Sequence, residues 1–178
     1  MKWLLLSLAL ASAGCLSTSP EDAARAALGP GDGDDGDEEH RPGQPCLTCH
    51  RDGYSPGDDK FVVAGTVYLR ASDSRGLRGA SVEISDAAGH QFTAQTNDAG
   101  NFMVEVREGI SAPRTDDEGK LRIPWRPVFP LQVSIRHGDV VKEMKSHVWR
   151  DGSCAGCHVG SSDTVDKVAK IWLIEEGN

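Results

Sequence analysis

The same short pattern, Cys-x-x-Cys-His, occurs twice in this chain of 178 residues. The first copy occupies residues 46–50 and the second occupies residues 154–158. The chain contains five cysteines and six histidines, and at that composition a single copy is expected by chance in about 0.005 of chains. Two copies therefore indicate that both motifs have the same chemical role and that the fold must accommodate it at two positions.

Cys-x-x-Cys-His is the attachment signature of a c-type haem. Two thiols separated by two residues reach the two vinyl groups at one edge of a porphyrin, and the next residue ligates the iron from one face. We therefore predict two covalently bound haem c groups, with His50 and His158 as proximal iron ligands. The predicted thioether bonds are made by Cys46, Cys49, Cys154 and Cys157.

Two other interpretations of the cysteine pairs stay open. Four thiols in two Cys-x-x-Cys pairs can form a structural zinc site, but this interpretation gives no reason for a histidine after each pair. A Cys-x-x-Cys pair is also typical of redox dithiols and disulfides, but the βαβ pattern expected around such a motif is missing. Haem attachment is the favoured interpretation.

The N-terminus has the composition of an export signal. Lys2 is followed by an apolar run and then by small residues before Cys15. The run is too short to cross a bilayer and matches a secretory signal. Its end resembles a bacterial lipobox, although Ser12 stands where leucine is preferred. We predict export and lipidation of Cys15, with ordinary cleavage that leaves a free thiol as the alternative. Leu16, the next residue, favours an outer membrane location.

The segment after Cys15 is rich in alanine, glycine, proline and acidic residues. Residues 29–39 offer no apolar side chain to bury, so they cannot offset their ordering entropy and are predicted to form a disordered tether. An EF-hand calcium loop counted from Asp32 fails, because its sixth position is Asp37 instead of glycine. The predicted segments are 1–14 (signal), 15–44 (lipidated cysteine and tether), 45–59 (first haem segment), 60–148 (β-sandwich), 149–162 (second haem segment) and 163–178 (closing strand).

The middle of the chain has the patterns of a β domain. β-branched and aromatic residues predict a strand over 61–69, and alternation of apolar and polar residues predicts strands over 80–85 and 101–106. A turn signal at 97–100 precedes the last of these. The proline-rich segment 109–130 is predicted as a long loop. Further strands are predicted at 128–136, 140–149 and 165–174, the first two joined by a turn at 137–139.

The motifs at 65–67, 77–82 and 96–102 resemble those of carboxypeptidase regulatory-like domains. The resemblance implies a mainly β fold, a small Greek-key or transthyretin-like β-sandwich of about seven strands, flanked here by two haem-binding segments. It implies no catalytic residues. The arrangement is similar to that of exported multihaem cytochromes in which such a sandwich has Cys-x-x-Cys-His segments at its flanks.

The second axial ligand of each iron is harder to identify from the sequence. Six-coordinate irons would indicate electron transfer, and two histidine ligands would lower the reduction potential relative to histidine with methionine. We prefer His147 and then Met144, since both lie shortly before Cys154. The other candidates are His40, His90, His137 and Met103.

Together these patterns predict an exported, membrane-tethered dihaem cytochrome that exchanges electrons with redox partner proteins. The lipid on Cys15 would hold it at the membrane, and the formal net charge of −8 argues against a nucleic acid partner. We expect the haems to share one end of the domain, with the first more exposed. Two other functions stay open: a haem-based redox or gas sensor whose sandwich recognises a partner, and a small dihaem peroxidase or reductase.

Overall fold

The computed structural model describes residues 20–28, 37–53, 59–158 and 169–175. The predicted signal, Cys15 with its lipid and the centre of the tether lie outside these described residues, and so do residues 54–58 and 159–162 of the predicted haem segments and residues 163–168 and 176–178 of the predicted closing segment. None of the helices in the described part of the chain is long and apolar enough to cross a membrane.

The described chain is mainly β and forms two sheets. The first is mixed and has six strands, β1 (Phe61–Tyr68), β4 (Asn101–Val106), β5 (Arg114–Thr115), β6 (Leu121–Ile123), β9 (Gly152–Ser153) and β10 (Ile171–Trp172). The second is antiparallel, with β2 (Ser81–Ser85), β3 (Gln91–Gln95), β7 (Gln132–His137) and β8 (Val140–Glu143) in the order β3-β2-β7-β8. The helices of the described residues are α1 (Pro20–Ala27), α2 (Leu47–His50) and α3 (Cys154–Cys157).

The two sheets share one hydrophobic core. Burial alternates residue by residue in β2, as the sequence predicts, and also in β3, so each of these strands turns one face to the core and one to solvent. Strands β1 and β4 are instead buried almost without interruption. Their inner faces contribute Val63 and Phe102 to the core, and their outer faces form a second apolar cluster with Leu47 of α2. The first cysteine motif therefore covers the outer face of the first sheet.

The mainly β prediction is confirmed, but three boundaries differ from the sequence prediction. The predicted loop 109–130 contains β5 and β6, and β6 runs parallel to β4; a strand of three residues is too short to show a periodicity. The predicted strand 140–149 ends with β8 at Glu143. Among the described residues of the closing segment, only Ile171–Trp172 is a strand.

A buried carboxylate holds the turn between β2 and β3. The side chain of Asp86 has no exposed surface. It accepts hydrogen bonds from the backbone amides of Ala88, His90 and Val128 and lies 3.0 Å from His90 Nδ1. Burial alone would raise the pKa of Asp86, but the hydrogen bonds from His90 and Val128 outweigh it and lower the pKa below its ordinary value. The turn therefore depends on the ionised form.

We expect Asp86→Asn to lower the free energy of unfolding by about 1–3 kcal/mol at neutral pH, because buried donors lose an acceptor. Since the folded-state pKa is lowered, the contribution of the carboxylate is complete above its ordinary pKa and disappears as pH falls through the folded value. Urea denaturation at neutral pH and in acid measures both effects. Asp98→Asn is the control, because Asp98 pairs with Arg78 on the surface, and such pairs contribute about 0–1 kcal/mol. Equal losses for the two variants would contradict the prediction.

Candidate functional site

The first cysteine motif is a single helical turn on the outer face of β1. The amide of His50 donates to the carbonyl of Cys46 at 3.0 Å, which closes the turn. Leu47 is buried, and Cys46 packs against the cluster that contains Phe61 and Ala64. Because residues three apart lie on one face of a helix, the turn brings the two thiols of the Cys-x-x-Cys pair to the same side. The local conformation therefore explains the spacing of the motif.

The second motif is a similar turn at the edge of the first sheet. The amide of His158 donates to the carbonyl of Cys154 at 2.9 Å. The preceding strand β9 pairs in parallel with β1 at Val63 and Ala64, and β10 pairs in parallel with β1 at Val67 and Tyr68. Two short strands on the same edge of β1 thus hold the motif between them.

Both motif histidines make the same hydrogen bond with the ring. His50 Nδ1 lies 3.1 Å from the carbonyl oxygen of Asp59, and His158 Nδ1 lies 2.6 Å from that of Ala169. Because a carbonyl oxygen only accepts, Nδ1 carries the proton and Nε2 keeps its lone pair. Burial lowers the pKa of both histidines, so each ring is neutral near neutral pH. Histidines that ligate metals almost always donate their other ring N–H in this way.

The first thiol of each motif lies among apolar atoms. Cys46 packs against the outer cluster and Cys154 against the core. Burial raises the pKa of Cys46 to about 11 and that of Cys154 to about 12. The four motif cysteines are all free thiols in the structure. At neutral pH these two buried thiols are therefore protonated, whereas dithiol redox motifs work through a thiol of lowered pKa.

One strand supports both motifs, although most of the β domain separates them in the sequence. Both α2 and α3 contact β1. Cys46 packs against the cluster that contains Ala64, while a Cβ on the next residue, Gly65, would lie 2.8 Å from Cys154 Cβ. Since neighbouring residues of a strand face opposite sides, the motifs approach β1 from its two faces. The thiol of Cys46 is close enough to contribute to the raised pKa of Cys154.

The candidate axial ligands lie in different surroundings. His147 is exposed, and its ring centroid is 6.1 Å from that of Trp149; Met144 is half-buried, and its amide donates to Val133. The role of His147 or Met144 as the sixth iron ligand at the second motif therefore stays a prediction. His90 stacks on Trp125 with centroids 4.5 Å apart, and His137 is exposed at the end of β7. The cavity beside the first motif is lined by His40 and Met103 together with Cys46, Cys49, His50 and Phe61.

A buried lysine joins the segments on either side of the first motif. The ammonium of Lys120, whose side chain is 5% exposed, lies 2.9 Å from Asp59, 2.8 Å from Glu118 and 3.7 Å from Glu38. Burial alone would lower the pKa of Lys120, but the bonds to Glu118 and Asp59 raise it above its ordinary value. Asp59 is also the residue whose carbonyl faces His50. Lys120 could not be recognised as a site residue from the sequence, because it lies in the segment predicted as a loop.

Comparison of the chain with protein families, with curated proteins and with solved structures finds no match in any of the three. Among the described residues, no group of three or more histidine, cysteine, aspartate or glutamate side chains is arranged to hold a metal ion. The chemistry of the site therefore depends on the donors of the two motifs and on their surroundings.

Proposed function

We propose that the chain is an exported electron-transfer protein that carries two covalently bound haem c groups. The observation that carries this proposal is the hydrogen bond of both motif histidines, which directs Nδ1–H to a backbone carbonyl and leaves Nε2 for a metal. A bound haem supplies an iron centre that gains and loses one electron. His50 and His158 would ligate the irons, and the thioethers would be made by Cys46, Cys49, Cys154 and Cys157.

The donor set fits a haem better than the alternatives. Each motif puts two thiols and a neutral histidine on one helical turn, and the first is next to an apolar cluster with Phe61 and Met103, a suitable wall for a porphyrin face. The raised pKa of Cys46 disfavours a redox dithiol. A zinc site would need all four ligands to converge, whereas among the described residues no three histidine, cysteine, aspartate or glutamate side chains are arranged to hold a metal ion.

The sheet arrangement supports a role for the β domain as a rigid support that fixes the positions of the two haems relative to each other. We propose that the two sheets form the transthyretin-like Greek-key sandwich of carboxypeptidase regulatory-like domains. Because α2 and α3 both contact β1, the haems would be close neighbours, and electrons would pass between them. The N-terminal sequence supports export, a lipid on Cys15 and a location at the outer membrane.

A haem count on protein matured in a host that attaches c-type haem tests the proposal. We expect a pyridine haemochrome spectrum with two c-type haems per chain, and haem that stays with the chain on a denaturing gel. Replacement of Cys46 and Cys49 by alanine should leave one haem, and so should the same replacement of Cys154 and Cys157. His137→Ala, at the exposed end of β7, is the control and should keep both. A wild-type protein without covalent haem would refute the proposal.

A further inference from the structure

The chain just before the first motif is attached to the first sheet. The carbonyl oxygens of Glu38 and His40 accept hydrogen bonds from Asn101 Nδ2 at 3.3 and 3.2 Å. The amide of Gly43 donates to Thr66 Oγ1 at 2.7 Å. Residues 38–43 therefore have a defined position over β1 and β4, although they belong to the segment predicted as a tether.

The two side chains that hold this segment belong to the sheet interior. Thr66 of β1 and Asn101 of β4 are opposite each other in the strand pairing, and they are 3% and 4% exposed. Thr66 Oγ1 donates to Asn101 Oδ1 at 2.7 Å. A buried polar group that loses its partners is costly, and residues 38–43 supply partners to both side chains. We call this pair the Thr66–Asn101 anchor.

The anchored segment brings the ring of His40 to the ring of His50. Their centroids are 5.7 Å apart, and the ring planes are tilted by 46°. Two imidazoles on opposite sides of one metal ion, with metal–nitrogen distances of about 2 Å, have centroids roughly 6 Å apart. The spacing of the two rings is therefore close to that of a pair of axial ligands.

The hydrogen bonds of the two rings are also alike. His40 Nδ1 contacts the carbonyl oxygen of Asp37, just as His50 Nδ1 contacts that of Asp59. Each ring thus keeps Nε2 as its free acceptor. Both histidines line the cavity that contains Cys46 and Cys49, the two thiols of the first motif.

We infer that His40 is the sixth iron ligand of the first haem, opposite His50, and that Thr66 and Asn101 are positioning residues for it. The inference rests on the proposed function. It assigns the first haem two histidine ligands, so that its iron is closed to small molecules and its potential is lower than that of a histidine–methionine pair. The roles predicted for His147 and Met144 at the second motif are separate from this assignment.

The spin state of the haems tests the assignment. In His40→Ala we expect the haem count to stay at two, while half of the haem changes from low-spin to high-spin in electron paramagnetic resonance and then binds cyanide. Added imidazole should restore the low-spin signal. His137→Ala, at the exposed end of β7, is the matched control and should leave the spin states of both haems unchanged. Two haems with unchanged spin states in His40→Ala would overturn the assignment without affecting the proposed function, while absence of haem from the wild type would refute the function itself.

Three further variants keep the test decisive if His40→Ala folds poorly. His40→Met should give the first haem a methionine–iron charge-transfer band and a higher reduction potential. Met103→Leu should have the same spectrum as the wild type. If the wild type has a methionine–iron band that Met103→Leu lacks, Met103 is the sixth ligand of the first haem and the assignment is overturned. Asn101→Ala should convert part of the first haem to high spin, and the fraction should fall when imidazole is added. If the first haem of Asn101→Ala stays fully low-spin, Asn101 does not position His40.

Discussion

Gly152→Ala is expected to detach the second motif from the sheet and to lower the free energy of unfolding by about 3 kcal/mol, the upper end of the usual cost of overpacking. A Cβ at this position would lie 2.0 Å from the carbonyl oxygen of Val62 and 2.6 Å from Cα of Val63. Both are backbone atoms of β1, so the clash is relieved only if β9 leaves its pairing with that strand. Urea denaturation measures the loss, and the haem count measures its effect on the second motif.

Gly156→Ala is the matched control for this experiment, because it adds the same methyl group inside the same motif. The nearest atom to its Cβ would be Ser153 Oγ at 3.3 Å, and a serine side chain can rotate away. Alanine is also favoured over glycine in a helical turn by roughly 0.5–1 kcal/mol. We therefore expect wild-type stability and a full haem count. If both variants lost stability equally, the close packing of Gly152 on β1 would not be the cause.

Lys120→Met is the second substitution with a large expected effect, a loss of about 1–3 kcal/mol in the free energy of unfolding. It removes the ammonium that Asp59 and Glu118 contact and leaves their carboxylates without that partner. Because Asp59 also faces His50, we expect faster hydrogen exchange at residues 46–50 of the variant. Denaturation and amide exchange measure these two effects.

The pH dependence of this effect follows from the raised pKa of Lys120. The stabilisation is complete below the ordinary lysine pKa and disappears only as pH rises through the still higher folded value. The gap between wild type and variant should therefore persist in mildly alkaline solution. Arg78→Met is the control, since the pair of Arg78 with Asp98 has both side chains more than half exposed and should contribute about 0–1 kcal/mol. A Lys120→Met protein as stable as this control would show that the ion pairs of the buried Lys120 ammonium contribute little.

The parts of the fold that could be predicted are those with a local signal. Alternation in β2 and β3 is visible because each has one face in water. Both faces of β1 are buried because Leu47, a residue outside the strand, covers the outer face. The pattern of residues within the strand therefore does not predict this burial. The pairing of β6 with β4 was missed for the same reason, as it depends on where a three-residue strand is brought by the rest of the chain.

The candidate site likewise contains some residues with a local sequence signal and some without one. The motif residues are visible because a helical turn sets their spacing, whereas the carbonyls of Asp59 and Ala169 that orient the rings are backbone groups without a sequence signal. Thr66 gave a usable hint, since it interrupts an apolar strand. Its partner Asn101 could be recognised only after the register between β1 and β4 was known. For this reason His40 could not be preferred over the other candidate ligands from the sequence alone.

The pairing of one strand with two distant segments also has a consequence for the order of assembly. Strand β1 pairs with β9 and β10, which come from the far end of the chain, while β2 and β3 pair across a short turn. Because closing a longer loop costs more entropy, we expect the edge of β1 to be filled last. Until then Cys154 is in an open segment, and afterwards it is packed beside Gly65. The thiol of Cys154 is thus expected to react only before folding is complete.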